Sequence, residues 1–159
     1  MDPAKKLVAW LQDAHAVKQH TEKALRRYAD LPGGTPKLRE YLLAHADETA
    51  RHRATLEALL QALDSAPSHF GSAVATILGA GQSAASSLLG DPPLTSAAAT
   101  LALEQLEVAT LTAIAAAARV AGENPAATKC RAMAVEDSAF LTWLSDALPD
   151  LTRRYLSPP

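Results

Sequence analysis

Residues 36–64 read PKLREYLLAHADETARHRATLEALLQALD, and this stretch decides the fold. Leu38, Leu42, His45, Thr49, His52, Leu56, Leu59 and Leu63 recur at alternating four- and three-residue steps, the stripe that an amphipathic helix turns toward a bundle core. Its two ends are leucine and its middle is not. His45 and His52, with Glu48 beside them, interrupt an apolar seam halfway along a helix that starts at the Thr35-Pro36 cap.

Three other segments repeat this design. In residues 4–30 the seam runs Leu7, Leu11, Ala14, Lys18, Thr21, Leu25 and Tyr28, which turns Lys18 inward. In 96–121 it runs Ala97, Leu101, Glu104, Val108, Leu111, Ala115 and Ala118, with Glu107 one turn from Glu104. In 125–148 it runs Cys130, Met133, Asp137, Phe140, Leu144 and Leu148, with Glu136 adjacent. Every interruption falls near a helix midpoint, and in an antiparallel bundle the midpoints meet. A buried polar group without a partner costs about 1–3 kcal/mol, so four polar interruptions at one height must satisfy one another or a shared ion.

Composition agrees with this reading. The chain has 159 residues, 48% apolar, 20% charged and 4% aromatic, enough for one domain with a real core. Alanine and leucine dominate while β-branched and aromatic residues are scarce, so the class is all-α. Breaks at Leu31-Pro32-Gly33-Gly34, Ser65-Ala66-Pro67-Ser68, Gly90-Asp91-Pro92-Pro93, Gly122-Glu123-Asn124 and Pro149 divide it into helices over 4–30, 36–64, 69–89, 96–121 and 125–148. Thr95 is the expected cap of the fourth segment, and Arg153-Arg154-Tyr155 an expected frayed or docked tail. The expected architecture is a ferritin-like four-helix bundle: two antiparallel hairpins joined by a long crossover over 65–95, with a short extra helix inside it, so that the second and fourth segments run the same way.

The charge balance, fifteen Lys and Arg against seventeen Asp and Glu, gives no basic field for nucleic acid. The uncharged run from Phe70 to Gly90 is long enough to cross a bilayer, but its serines, Gln82 and glycines make it too polar, so no membrane partner is expected. Gly79-x-Gly81 allows a close subunit contact. A single cysteine, Cys130, excludes a disulfide framework and a Cys-rich zinc module and suits a reducing, cytoplasmic setting. Its place on the seam makes it a buried packing residue. No nucleophile elbow or phosphate loop is present, so no catalytic residues are assigned.

Carboxylates and imidazoles converging in a bundle are the ligand types of divalent metals. The candidate ligands are Glu48, His52, Glu104, Glu107 and Glu136, with Lys18 where the first helix is expected to supply a further acid. The usual Glu-x-x-His spacing is incomplete: Arg51 stands three residues after Glu48, and Ala139 three after Glu136. Iron or another divalent metal, or no metal at all, therefore stay open. In the metal-free reading, Lys18 neutralises a buried layer formed by Glu48, Glu104 and Glu136.

Leu11-Gln12-Asp13-Ala14-His15-Ala16, His45-Ala46-Asp47-Glu48-Thr49, Glu104-Gln105-Leu106-Glu107-Val108-Ala109 and Glu136-Asp137, in that order and spacing, resemble the YciF-like ferritin-like stress proteins. The resemblance implies a five-helix, ferritin-like bundle, a homodimer and a carboxylate-rich candidate metal site. It matches Glu48, Glu104, Glu107 and Glu136 to the family's acids, puts His52 at a polar position and Lys18 where the family has a glutamate. It implies a stress-associated protein with a partial di-metal site; the alternative left by the residues is a non-enzymatic helical scaffold whose Lys–carboxylate layer holds no metal.

Overall fold

The computed structural model describes residues 2–32, 34–68, 79, 83 and 90–157. Four long helices carry the fold: α1 (Pro3–Ala29), α2 (Pro36–Ala62), α3 (Pro92–Val120) and α4 (Asn124–Leu156). The expected helix over 69–89, with its Gly79-x-Gly81 contact, lies outside the described residues apart from two single positions.

The helix starts follow from the caps. Asp2 accepts a hydrogen bond from the Ala4 amide at 3.0 Å, and Thr35 from the Leu38 amide at 3.1 Å, each followed by proline in the first turn. Gly122 ends α3 at a φ of +82°, with Glu123 N–H donating to the Ala118 carbonyl at 2.8 Å and Gly122 N–H to that of Arg119 at 3.1 Å. This double return bond needs a left-handed residue, which glycine supplies without strain, and it reverses the chain into α4.

Two helix boundaries differ from expectation. α3 begins at Pro92, four residues before the position Thr95 was expected to mark. Pro92 and Pro93 fit its first turn because amide hydrogens there have no intrahelical acceptor, and Thr95 N–H bonds the Asp91 carbonyl at 2.8 Å instead of Thr95 acting as a cap. α4 does not stop at Pro149 but continues to Leu156, so the Arg153-Arg154-Tyr155 tail is helical. One lost i→i−4 bond is offset there by continued packing of Leu151 and by the Tyr155 hydroxyl, which donates to Asp91 Oδ1 at 2.6 Å.

The core divides into two apolar ends. At one end Leu7 and Leu11 of α1 meet Leu56 and Leu60 of α2, Leu111 and Ile114 of α3, and Cys130 and Met133 of α4. At the other, Leu25 and Tyr28 meet Leu38 and Leu42, Ala97, and Phe140 and Leu144. The start of α1 thus lies with the ends of α2 and α3 and the start of α4. α2 and α3 run in the same direction, each antiparallel to its hairpin partner, as the long crossover requires. α3 is long and apolar enough to cross a membrane by length and composition, yet it turns Glu104 and Glu107 into the bundle.

Cys130 is fully buried in the first apolar end, and burial pushes its thiol up to about 11. Thiolate is the reactive form, so labelling of the native protein by a disulfide reagent near pH 8 is expected to run at least about 100-fold slower than that of the unfolded chain. Equal rates would show that the thiol is not held in the core.

Candidate metal centre

Between the two apolar ends lies a layer of charge. Lys18, at the middle of α1, is 1% exposed, and its Nζ lies 2.5 Å from Glu107 Oε2 and 2.6 Å from Asp137 Oδ2. A residue of that length reaches neither solvent nor bulk counter-ions from there. Its charge survives because of what it meets: burial works against the ammonium, but Glu107, Asp137 and Glu104 outweigh it and hold the pKa above the ordinary lysine value. Lys18 is buried among acids, with other partners than expected: Glu107 and Asp137 contact it directly, rather than Glu48, Glu104 and Glu136. Glu107, one turn beyond Glu104, is the α3 acid that meets Lys18, and Asp137 is the seam residue of α4.

The imidazoles connect the rest. His45 Nδ1 lies 2.9 Å from Glu48 Oε2 and its Nε2 3.0 Å from Glu104 Oε1, while Phe140 stacks on the ring at a centroid distance of 3.8 Å and fixes its plane. With a carboxylate at each nitrogen, the doubly protonated form suits the site. Burial opposes that charge, but the hydrogen bond and field of Glu104, helped by Glu48, raise the His45 pKa. His52 Nε2 lies 2.5 Å from Glu136 Oε2, and its Nδ1 is 3.3 Å from Asp137 Oδ1, an ion-pair contact without hydrogen-bond alignment. Asp137 thus faces the Lys18 ammonium and the His52 ring. Although burial would raise its pKa, the contact with His52 and the charge and hydrogen bond of Lys18 hold it below the usual carboxylate range.

Glu107 goes the other way. Burial lifts its carboxyl to about 7, Lys18 opposes the rise, and Glu104 and Asp137 add to it. The hydrogen count agrees. The Thr21 hydroxyl is in hydrogen-bond contact with both Glu107 Oε1 and the Val17 carbonyl, yet it has one hydrogen to give. Both contacts are satisfied if Glu107 carries the proton, donating to Thr21 while Thr21 donates to Val17.

Two groups of donors emerge: His45, Glu104 and Asp137, all buried, and Glu48, His52 and Glu136, nearer the surface, each with ligand atoms within 4.8 Å of one another. The sequence-derived candidates Glu48, His52, Glu104 and Glu136 fall within these groups. Glu107 stands outside both, engaged by Lys18 and Thr21. His45 and Asp137 are legible in the sequence as seam interruptions, but neither belongs to a Glu-x-x-His pair nor to the acids that the family resemblance matches, so they are not among the candidate ligands. Glu22 of α1 lies off the seam that carries Lys18 and pairs with Arg26 at 3.3 Å and Arg53 at 3.2 Å.

These residues do not fit a pair of metal ions, because the amine of Lys18 takes two of the inward carboxylates. They do fit one. Glu104 Oε2 is buried with neither a hydrogen bond nor an ion pair among the described residues, and an imidazole with carboxylates is a suitable donor set for a borderline divalent ion.

Comparison with known proteins agrees with the fold. Three solved structures share the fold. One is a Xanthomonas campestris protein (24% identity, TM-score 0.82, covering 98% of this chain and 97% of that one). YcfI of Rhodopseudomonas palustris has 20% identity and a TM-score of 0.76, covering 91% and 94%. The E. coli stress protein YciF has 16% identity and a TM-score of 0.79, covering 96% and 98%. The family described as a domain of unknown function, DUF892, matches residues 2–157, and with the resemblance to YciF thereby borne out, the chain belongs to that family.

Proposed function

We propose that this is a ferritin-like protein of the stress-associated YciF type whose bundle centre takes at most one divalent cation, Lys18 holding the place of a second. The observation that carries the reading is the buried Lys18 ammonium bonded to Glu107 and Asp137. Glu48, Glu104 and Glu136 face imidazoles rather than the Lys18 ammonium, so with those imidazoles neutral the layer keeps negative charge for a further cation. His45, Glu104 and Asp137 would hold it, the otherwise unpaired Glu104 Oε2 included. A bound ion there supplies Lewis acidity, or one-electron chemistry if it is iron. The chain's own part is to keep the cage anionic and dry and to release the second His45 proton, since only a neutral imidazole ligates. The reading extends to a homodimer, as the family resemblance implies.

A second reading has its own support: both ring nitrogens of His45 already meet carboxylates, so the layer closes on itself as a metal-free scaffold. Metal analysis separates the two. Protein purified without chelator should carry less than one iron per chain, and titration with ferrous or manganous ion should saturate at one per chain and fail in His45→Ala. Two tightly bound ions would overturn both readings; no binding at all would leave the scaffold.

A further inference from the structure

Away from the charged layer, a cavity of about 420 Å³ opens between the second half of α1 and the first half of α3. That volume lies in the range of small-molecule sites, which are mostly apolar with a few convergent polar groups. The floor is apolar, made by Leu25 and Ala99 with Leu103, and the exposed Leu106 stands at its edge. Tyr28 and Thr100 also line it, each more than nine-tenths buried as a residue, and neither hydroxyl makes a hydrogen bond among the described residues. Two hydroxyls open to one cavity offer hydrogen-bonding groups to a ligand inside it.

The rim has a sign. Lys23 and Arg27 lie one turn apart on α1, exposed and without an ion pair among the described residues, while their neighbour Arg26 is paired twice. No acidic residue lines the cavity among those described. In a chain of net charge −2, two unpaired cations over an apolar floor form a local anion site. His20 completes that wall, and burial together with Arg27 and Lys23 lowers its pKa.

We propose that this cavity binds a small organic acid with an apolar body, of the medium-chain carboxylate type. Its carboxylate meets Lys23 and Arg27, its chain covers Leu25 and Leu103, and Tyr28 and Thr100 gain polar partners. The site is separate from the candidate metal centre, since none of the metal-donor residues lines it. Thr21 alone belongs to both neighbourhoods: it lines the cavity and hydrogen-bonds Glu107.

Calorimetric titration with octanoate tests this, with octan-1-ol and octylammonium as headgroup controls. One saturable octanoate site per chain is expected, with binding at least tenfold tighter than that of either control. The double variant Lys23→Glu/Arg27→Glu, whose exposed positions spare the fold, should weaken octanoate at least tenfold. Lys5→Glu/Lys6→Glu, which alters exposed cations elsewhere on α1, should leave it unchanged. Leu103→Trp should block the cavity from its floor. The proposal is overturned if octanoate does not saturate, if octan-1-ol binds equally well, or if both charge-reversed pairs weaken it alike. Each of these outcomes leaves the metal reading untouched, because that rests on metal stoichiometry alone.

Discussion

Lys18→Glu is expected to destabilise the metal-free protein by about 3–5 kcal/mol, the cost of removing one partner from a buried ion pair. At this chain length that corresponds to a fall in Tm of roughly 10 °C or more. The substitution deletes the charge that Glu107 and Asp137 both use, at 2.5 and 2.6 Å, and puts another carboxylate among them. Manganous or ferrous ion should then restore part of the loss, because four helices would each present a carboxylate and an ion bound only by the folded state stabilises it. Lys18→Met separates charge from shape. It keeps most of the stem but leaves the two acids uncompensated, so it should also destabilise, with less recovery on adding metal because it contributes no ligand. Thermal unfolding of the three proteins with and without metal measures all of this. If Lys18→Glu is neutral in both conditions, Lys18 is not the internal cation of the bundle.

Much of this architecture could be read directly from residue spacing. The stripe of residues 36–64 identifies a buried helix with a polar waist, and repetition of that waist in three more segments leaves only a bundle in which the midpoints meet. That inference needs no side-chain detail, which is why helix order, direction and the inward turn of Lys18 all follow from it. Pairing within the layer does not. Whether Lys18 meets Glu104 or Glu107 depends on a rotation of α3 by a few tens of degrees about its axis, and a seam in which both acids lie one turn apart does not specify that rotation. His45 shows the same limit from another side. Its stack on Phe140 and its bridge from Glu48 to Glu104 join three helices, and no spacing within one helix encodes them. The ends of α3 and α4 escaped because proline was read as a stop, whereas Pro92 and Pro93 sit where amide hydrogens are idle and Pro149 is carried by the packing around it.

The split between Asp137 and Glu107 gives the second large effect, a pH-dependent gain in stability in Glu107→Gln. Glu107 has a folded pKa of about 7, above its unfolded value, so the native state holds a proton that the unfolded chain has released. Its contribution therefore disfavours folding increasingly as pH rises from about 4.5, and levels off above about 7. At about 1.36 kcal/mol per unit, the full penalty is of order 3 kcal/mol. Glutamine fixes the protonated arrangement: its carbonyl oxygen can accept from Lys18 where Oε2 does now, and its amide can donate to Thr21, leaving Thr21 to donate to Val17. The two proteins should be nearly equal in stability near pH 4.5, with the variant ahead by a few kcal/mol at pH 8. Other groups in the layer do not produce this difference. Asp137 has a depressed pKa, so its stabilisation is present above the unfolded carboxylate value and lost only in stronger acid. Lys18, with its pKa raised, loses its contribution only as pH climbs beyond the ordinary lysine range. His45, also raised, loses its contribution as pH rises through its folded value, but it does so in both proteins. Denaturant unfolding of both proteins across pH 4.5–8.5 reads the difference directly. Parallel curves would mean that Glu107 is ionised throughout and that the hydrogen shared with Thr21 is not its own.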